Sequence, residues 1–197
     1  MGFRTGGAIG MMALSIAALA PQASAEVINT VSAPCRVFAD GWASSDPNER
    51  ADAEFLLHWL AGRLAPVTSG RVADAVAIAG DGERLAEMCR ATPDRPLLDA
   101  AATVLGAAGT PPGKARVALS AVTCANLKDL SPEEAIGLAS SVMWLLGQEA
   151  QRTGAALVDP ASIGGHMQRL GVVCRKTPEL SLPQALSQTL IAPETAP

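Results

Sequence analysis

RLAEMCRATPDRPLLDA, residues 84–100, returns 85 positions later as RLGVVCRKTPELSLPQA, residues 169–185. The same offset continues upstream, where WLAG at 59–62 falls on WLLG at 144–147, Asp74 on Asp159, and DPNE at 46–49 on SPEE at 131–134. Between 59–105 and 144–190, 17 of 47 residues are identical, and Trp precedes Cys by 30 residues in both stretches. Such a tract, with Trp, Cys and Thr-Pro all in register, reads as a duplicated structural unit.

The repeat organises the four cysteines, Cys35, Cys89, Cys124 and Cys174. An even number in a chain with an export signal implies two disulfides, and four cysteines allow three connectivities. One pair per copy is the simplest choice, Cys35 with Cys89 and Cys124 with Cys174. Closing two loops of roughly 50 residues would stabilise the fold by about 4 kcal/mol each on chain-entropy grounds. Cys35 and Cys124 are 89 residues apart, so the first copy carries four additional residues within VFADGWASS. An inserted surface loop would accommodate them cheaply. No C-x-x-C occurs, which removes the pattern expected of a zinc site or a thioredoxin-type redox pair.

Each copy predicts helices. Asp46 and Ser131 are good N-caps, Pro47 and Pro132 suit the first helical position, and Glu49 and Glu134 would complete capping boxes. Behind them Ala53, Leu56, Leu57, Leu60, Ala61 and Leu64 form one apolar stripe, matched by Leu138, Ser141, Val142, Leu145 and Leu146. A middle helix aligns Ile78, Leu85, Ala86 and Cys89, repeated as Ile163, Leu170, Gly171 and Cys174. A last helix aligns Leu97, Ala100, Ala101, Val104 and Leu105, repeated as Leu182, Ala185, Leu186, Thr189 and Leu190. Strand-like alternation is confined to short lead-ins such as RVALSAV. The fold class expected is therefore all-α, two tandem small helical modules each with one internal disulfide. The modules span 26–108 and 109–190, with the joint near GAAGTPPGK at 106–114 and a disordered tail at 191–197.

The first 25 residues have the form of a cleaved signal peptide: an early Arg4, the apolar run AIGMMALSIAALA, and a small-x-small end in PQASA. Cleavage after Ala25 would leave a soluble, exported protein. Glu26 follows the cut and the nearest thiol is Cys35, so no lipid anchor or other stable membrane anchor is expected. Without Arg4 the chain keeps fourteen Lys and Arg against nineteen Asp and Glu, a net charge of −5. That balance, without a basic stripe, disfavours nucleic acid as a partner.

The order of Cys, acidic loop, W-L-x-G helix, L-x-x-x-C-R helix, T-P and apolar helix resembles the HdeA/HdeB family, small helical periplasmic proteins with one internal disulfide. The likeness is fullest over CANLKDLSPEEAIGLASSVMWLLG through VVCRKTPELSLPQAL, and from Asp46 onward in the first copy. The resemblance implies an acid-stress chaperone, a holdase that opens at low pH and binds acid-unfolded periplasmic proteins, with no cofactor. Its characterised members are single modules that dimerise, whereas here two share a chain. A contact between modules, or a homo-oligomer, is the corresponding expectation, and the surface between modules is expected to yield first in acid.

Protonating every carboxyl and both histidines would carry the chain to +16, and self-repulsion of that size strains a compact state. Residues 26–109 hold twelve acids and seven bases while 110–197 hold seven of each, so the first copy should feel acid more. Its candidate pH-responsive groups are Asp46, Glu49, Asp52, Asp74, Glu83, Glu87, Asp94 and Asp99. Trp59, Gly62, Trp144 and Gly147 read as core packing with close helix contact. His58 and His166 occupy unmatched positions, against a shared metal or catalytic role. GDGE at 80–83 and GGH at 164–166 lack the strand-to-helix setting of a phosphate loop and read as weak points in helices. With no motif for a catalytic relay and the cysteines paired, no enzyme is expected, and no metal. The alternative reading is a constitutive, non-enzymatic envelope binding or assembly module.

Overall fold

The computed structural model describes residues 27–65, 72–107, 116–118, 121–127, 131–159 and 162–191. The expected signal peptide, the centre of the joint and all but the first residue of the expected tail lie outside them; Ile191 itself ends a helix. Seven helices and four short strands follow in order: β1 (Ile28–Asn29), α1 (Arg36–Ala43), α2 (Pro47–Leu64), β2 (Val72–Asp74), α3 (Ala75–Ala91), α4 (Leu97–Ala107), β3 (Arg116–Ala118), α5 (Pro132–Thr153), β4 (Leu157–Val158), α6 (Ile163–Lys176) and α7 (Leu182–Ile191), with a 3-10 turn at Cys124–Leu127.

The helix starts follow their local chemistry. Ser131 and Glu134 close a complete capping box on α5, their side chains each bonded to the other's backbone N–H at 3.3 and 2.8 Å. On α2, Asp46 caps Asn48 N–H at 2.8 Å, but the box expected with Glu49 does not form. Ser44 intervenes: its hydroxyl donates to Glu49 at 2.6 Å and accepts the Asp46 N–H at 3.1 Å. Gly154, at φ 75°, ends α5 in the left-handed conformation that a residue without Cβ adopts freely.

Cys35 joins Cys89 and Cys124 joins Cys174, with Cα separations of 4.9 Å in both. The backbone around the two bridges repeats bond for bond. Cys35 N–H donates to Arg95 and Cys124 N–H to Leu180, both at 2.8 Å; Leu97 N–H donates to Ala33 and Leu182 N–H to Val122, at 2.9 and 2.7 Å. Pro34 bridges Pro96 as Thr123 bridges Ser181. The sequence repeat is thus carried into the hydrogen-bond pattern.

One expectation needs correction. The additional residues of the first half are not a surface loop, because most of VFADGWASS belongs to α1, with Phe38 fully buried, Trp42 buried, and their rings stacked at 5.4 Å. The chain is mostly helical, as the all-α expectation has it, and adds two short antiparallel pairs, β1 with β4 and β2 with β3. Strands of two or three residues have no independent stability and leave no periodicity to detect. Each sheet takes one strand from each half. The contact between the halves is extensive.

That contact is the crossing of α2 with α5, the most extensive between any two elements. A Cβ on Gly62 would overlap the Trp144 carbonyl oxygen, and one on Gly147 would overlap the Trp59 carbonyl oxygen. Each W-L-x-G therefore seats its glycine on the backbone of the other's tryptophan. Leu56, Leu60 and Leu85 from the first half and Val142, Leu145 and Leu170 from the second share one continuous buried cluster. Such contact admits no methyl group, and overpacking must push the helices apart. Gly62→Ala or Gly147→Ala is expected to lose about 3 kcal/mol of stability in urea unfolding. Gly137→Ala, on an exposed part of α5 with open space around it, should instead gain about 1 kcal/mol.

Candidate functional site

Titratable groups gather around this crossing. His58 precedes Gly62 by one helical turn and so lies on the face of α2 turned toward α5. Its side chain is largely removed from water, and that desolvation lowers its pKa from 6.5 to about 4 against the opposing pull of Glu54. The imidazole is accordingly neutral at pH 7. The repeat places Met143 at the equivalent position of α5, fully buried. The mismatch that argued against a shared metal site is itself a signal: an ionisable ring stands where the other half keeps an apolar side chain. Nearby, the Arg63 guanidinium lies 5.4 Å from the Trp59 ring centre and donates to the Ala155 carbonyl, a further tie between the halves.

The expected acid-responsive residues do not form one cluster. Asp46 and Glu49 are exposed and engaged in the α2 start. Asp52 is partly buried, and burial raises its pKa, followed by repulsion from Asp159, Asp46 and Glu49. That group spans both halves through Asp159. Glu83 accepts from the Trp42 indole N–H at 2.9 Å and from Arg90 at 3.2 Å, bonds that lower its pKa. Asp94 pairs with Arg36 across the Cys35–Cys89 bridge, while Glu87 and Asp99 lie exposed on α3 and α4. Asp74 ends β2, opposite Arg116 of β3; its side chain is outside the described residues. Two further acids matter as well. Asp81 is buried and paired with Arg84, and Glu134 is held ionised by its capping bonds to Ser131.

A cleft of about 180 Å³ opens beside the crossing, lined among others by Trp59, Met143, Glu149, Asp159, Ser162 and His166. It is smaller than the roughly 300 Å³ at which small-molecule sites begin. Ser, Asp and His meet here, a juxtaposition the sequence did not reveal. Their bonding is not that of a relay: the Ser162 hydroxyl donates to the Asp159 backbone carbonyl at 2.6 Å, and His166 Nδ1 pairs with the Arg169 guanidinium at 3.0 Å. A nucleophile needs its hydroxyl directed to the imidazole. Among the described residues no three His, Cys, Asp or Glu side chains are placed to hold a metal ion, and no helix is long and apolar enough to cross a membrane.

No family model, curated protein or solved structure matches the chain.

His58 makes a signed prediction. The unfolded chain takes up its proton near pH 6.5, while the folded chain resists until about pH 4, so stability falls as pH drops through that window and is level below it. The 2.5-unit gap corresponds to on the order of 3 kcal/mol. His58→Met, which copies the residue of the other half, should remove that share of the fall in urea-unfolding free energy between pH 7 and pH 4. An unchanged fall would show that His58 does not resist protonation in the fold.

Proposed function

We propose that this chain is an acid-stress holdase of the HdeA/HdeB kind, exported to the periplasm after loss of residues 1–25 and built from two tandem HdeA-like modules, 26–108 and 109–190. The observation that carries the proposal is His58, an imidazole held neutral beside the contact that joins the halves. Below about pH 4 it becomes a cation in a setting largely removed from water, where the desolvation cost outweighs the attraction of Glu54. In the same range Glu83 and Glu134 lose the charge that their bonds require, and the chain moves toward +16. The two disulfides do not respond to acid and keep each half tethered. Apolar helix faces then become available to clients, the acid-unfolded proteins of the same compartment. The paired cysteines suit an oxidising compartment. This activity needs no cofactor, nucleic acid or catalytic group.

A second reading, a constitutive envelope binding or assembly module, draws on exposed Val27, just before β1, and exposed Leu157 of β4, apolar side chains already open in the folded chain. Light scattering of an aggregation-prone client, followed with apolar-dye binding at pH 7 and at pH 2–3, separates the two. The holdase reading expects suppression and new dye binding in acid alone. Equal binding at both pH values would contradict it and support the fixed surface.

A further inference from the structure

Helix α1 is fastened by different chemistry at its two ends. At the first turn the Cys35–Cys89 bridge is covalent, and two backbone bonds add to it, Cys35 N–H to Arg95 and Arg36 N–H to Pro93 at 2.8 and 2.9 Å. These three ties are indifferent to pH. The exposed Arg36–Asp94 pair beside them is minor. At the last turn the Trp42 ring lies against Gly82 of α3, where any Cβ would overlap it. Its indole N–H donates to Glu83 at 2.9 Å, and Arg90 donates to the same carboxylate at 3.2 Å. From α2, Arg50 sits 3.9 Å above the ring centre and donates to the Trp42 carbonyl.

Glu83 is thus the anion between two permanent cations, Arg50 from α2 and Arg90 from α3. Protonated, it no longer accepts a charge-assisted bond from the indole and no longer offsets either guanidinium. Because its bonds hold the carboxyl below the ordinary 4.5, the tie is complete above that value and is lost as pH falls through the lower one.

We propose that α1 is an acid-released flap: protonation of Glu83 frees Trp42 from α3, the helix pivots on the Cys35–Cys89 bridge, and the surface between Phe38, Trp42 and Gly82 receives apolar segments of unfolded polypeptide. The occupant rests on the holdase reading; the opening does not. The occupant is apolar because unfolded chains in acid are cationic, as is this surface once Glu83 is neutral, which leaves burial of apolar area as the attraction. The device belongs to the first half alone. The repeat places Gln168 opposite Glu83 and Met167 opposite Gly82, and among the described residues the 3-10 turn Cys124–Leu127 stands opposite the start of α1. An amide in place of the carboxylate has nothing to titrate.

The purified, disulfide-bonded protein labelled with 5-fluorotryptophan gives one ¹⁹F resonance for each of its three tryptophans, with Trp42 assigned through Trp42→Phe. On titration from pH 7 to pH 2, Trp42 should shift to a solvent-exposed position in a separate step, at higher pH than any change at Trp59 or Trp144. Glu83→Gln should move Trp42 toward that position already at pH 7 while the other two stay in place, which also reports that the variant is folded. One common step for all three in the unmodified protein would overturn the flap, whatever the variant does. So would a Trp42 step that a folded Glu83→Gln leaves unchanged. Client light scattering on the same samples separates the two proposals. A Trp42 step without suppression would sink the holdase and retain the flap, whereas suppression with Trp42 unmoved would sink the flap and retain the holdase.

Discussion

The crossing of α2 and α5 at Gly62 and Gly147 sets the position of everything else. Two backbones approach so closely that each glycine rests on the other helix's Trp carbonyl, and this fixes where both helices begin and end relative to each other. The chain leaving α2 as β2 is then beside the lead-in β3, and the chain leaving α5 as β4 is beside the lead-in β1. A single buried cluster follows, drawing on both halves, so the repeat is duplicated in sequence and interlocked in space.

This arrangement divides the molecule by its response to acid. The crossing is apolar side chain and backbone, and the bridges are covalent, so neither titrates. Groups that do titrate lie outside it: His58 one turn from Gly62, the Asp52 and Asp159 pair across the halves, and the exposed Glu83 bonded to the Trp42 indole. Their signs differ. Asp52 binds its proton more readily folded than unfolded, so acid relieves its repulsion, whereas His58 and Glu83 give up stability as pH falls. Acid therefore eases the Asp52–Asp159 repulsion across the halves while it weakens the fold at His58 and at the Glu83 tie to α1.

Much of this was legible in the residues. The 85-residue offset fixed the disulfide pairing, and the capping residues with the 3.6-residue stripe of Ala53, Leu56, Leu57 and Leu60 placed α2 and its counterpart α5. What escaped is non-local or too short to be periodic. Four additional residues within VFADGWASS read as an inserted loop from the cysteine spacing alone, although most of that stretch is α1. W-L-x-G announced close packing without naming its partner, since a glycine seated on another backbone depends on the helix it meets. His58 looked inert because it broke the repeat, and its environment is set by an element more than eighty residues away. The Glu83 tie needed Trp42, forty-one residues earlier, to fold inward.

Whether the two halves stand or fall together is the question on which this account turns. Native-state amide hydrogen exchange at neutral pH answers it, because exchange from buried helix amides reports the free energy of the opening that exposes them. The central amides of α2 and α5 should exchange only through one global opening, with equal free energies that respond equally to added urea. Markedly different values for the two helices would show that the halves unfold separately and that the glycine crossing does not bind them into one structure.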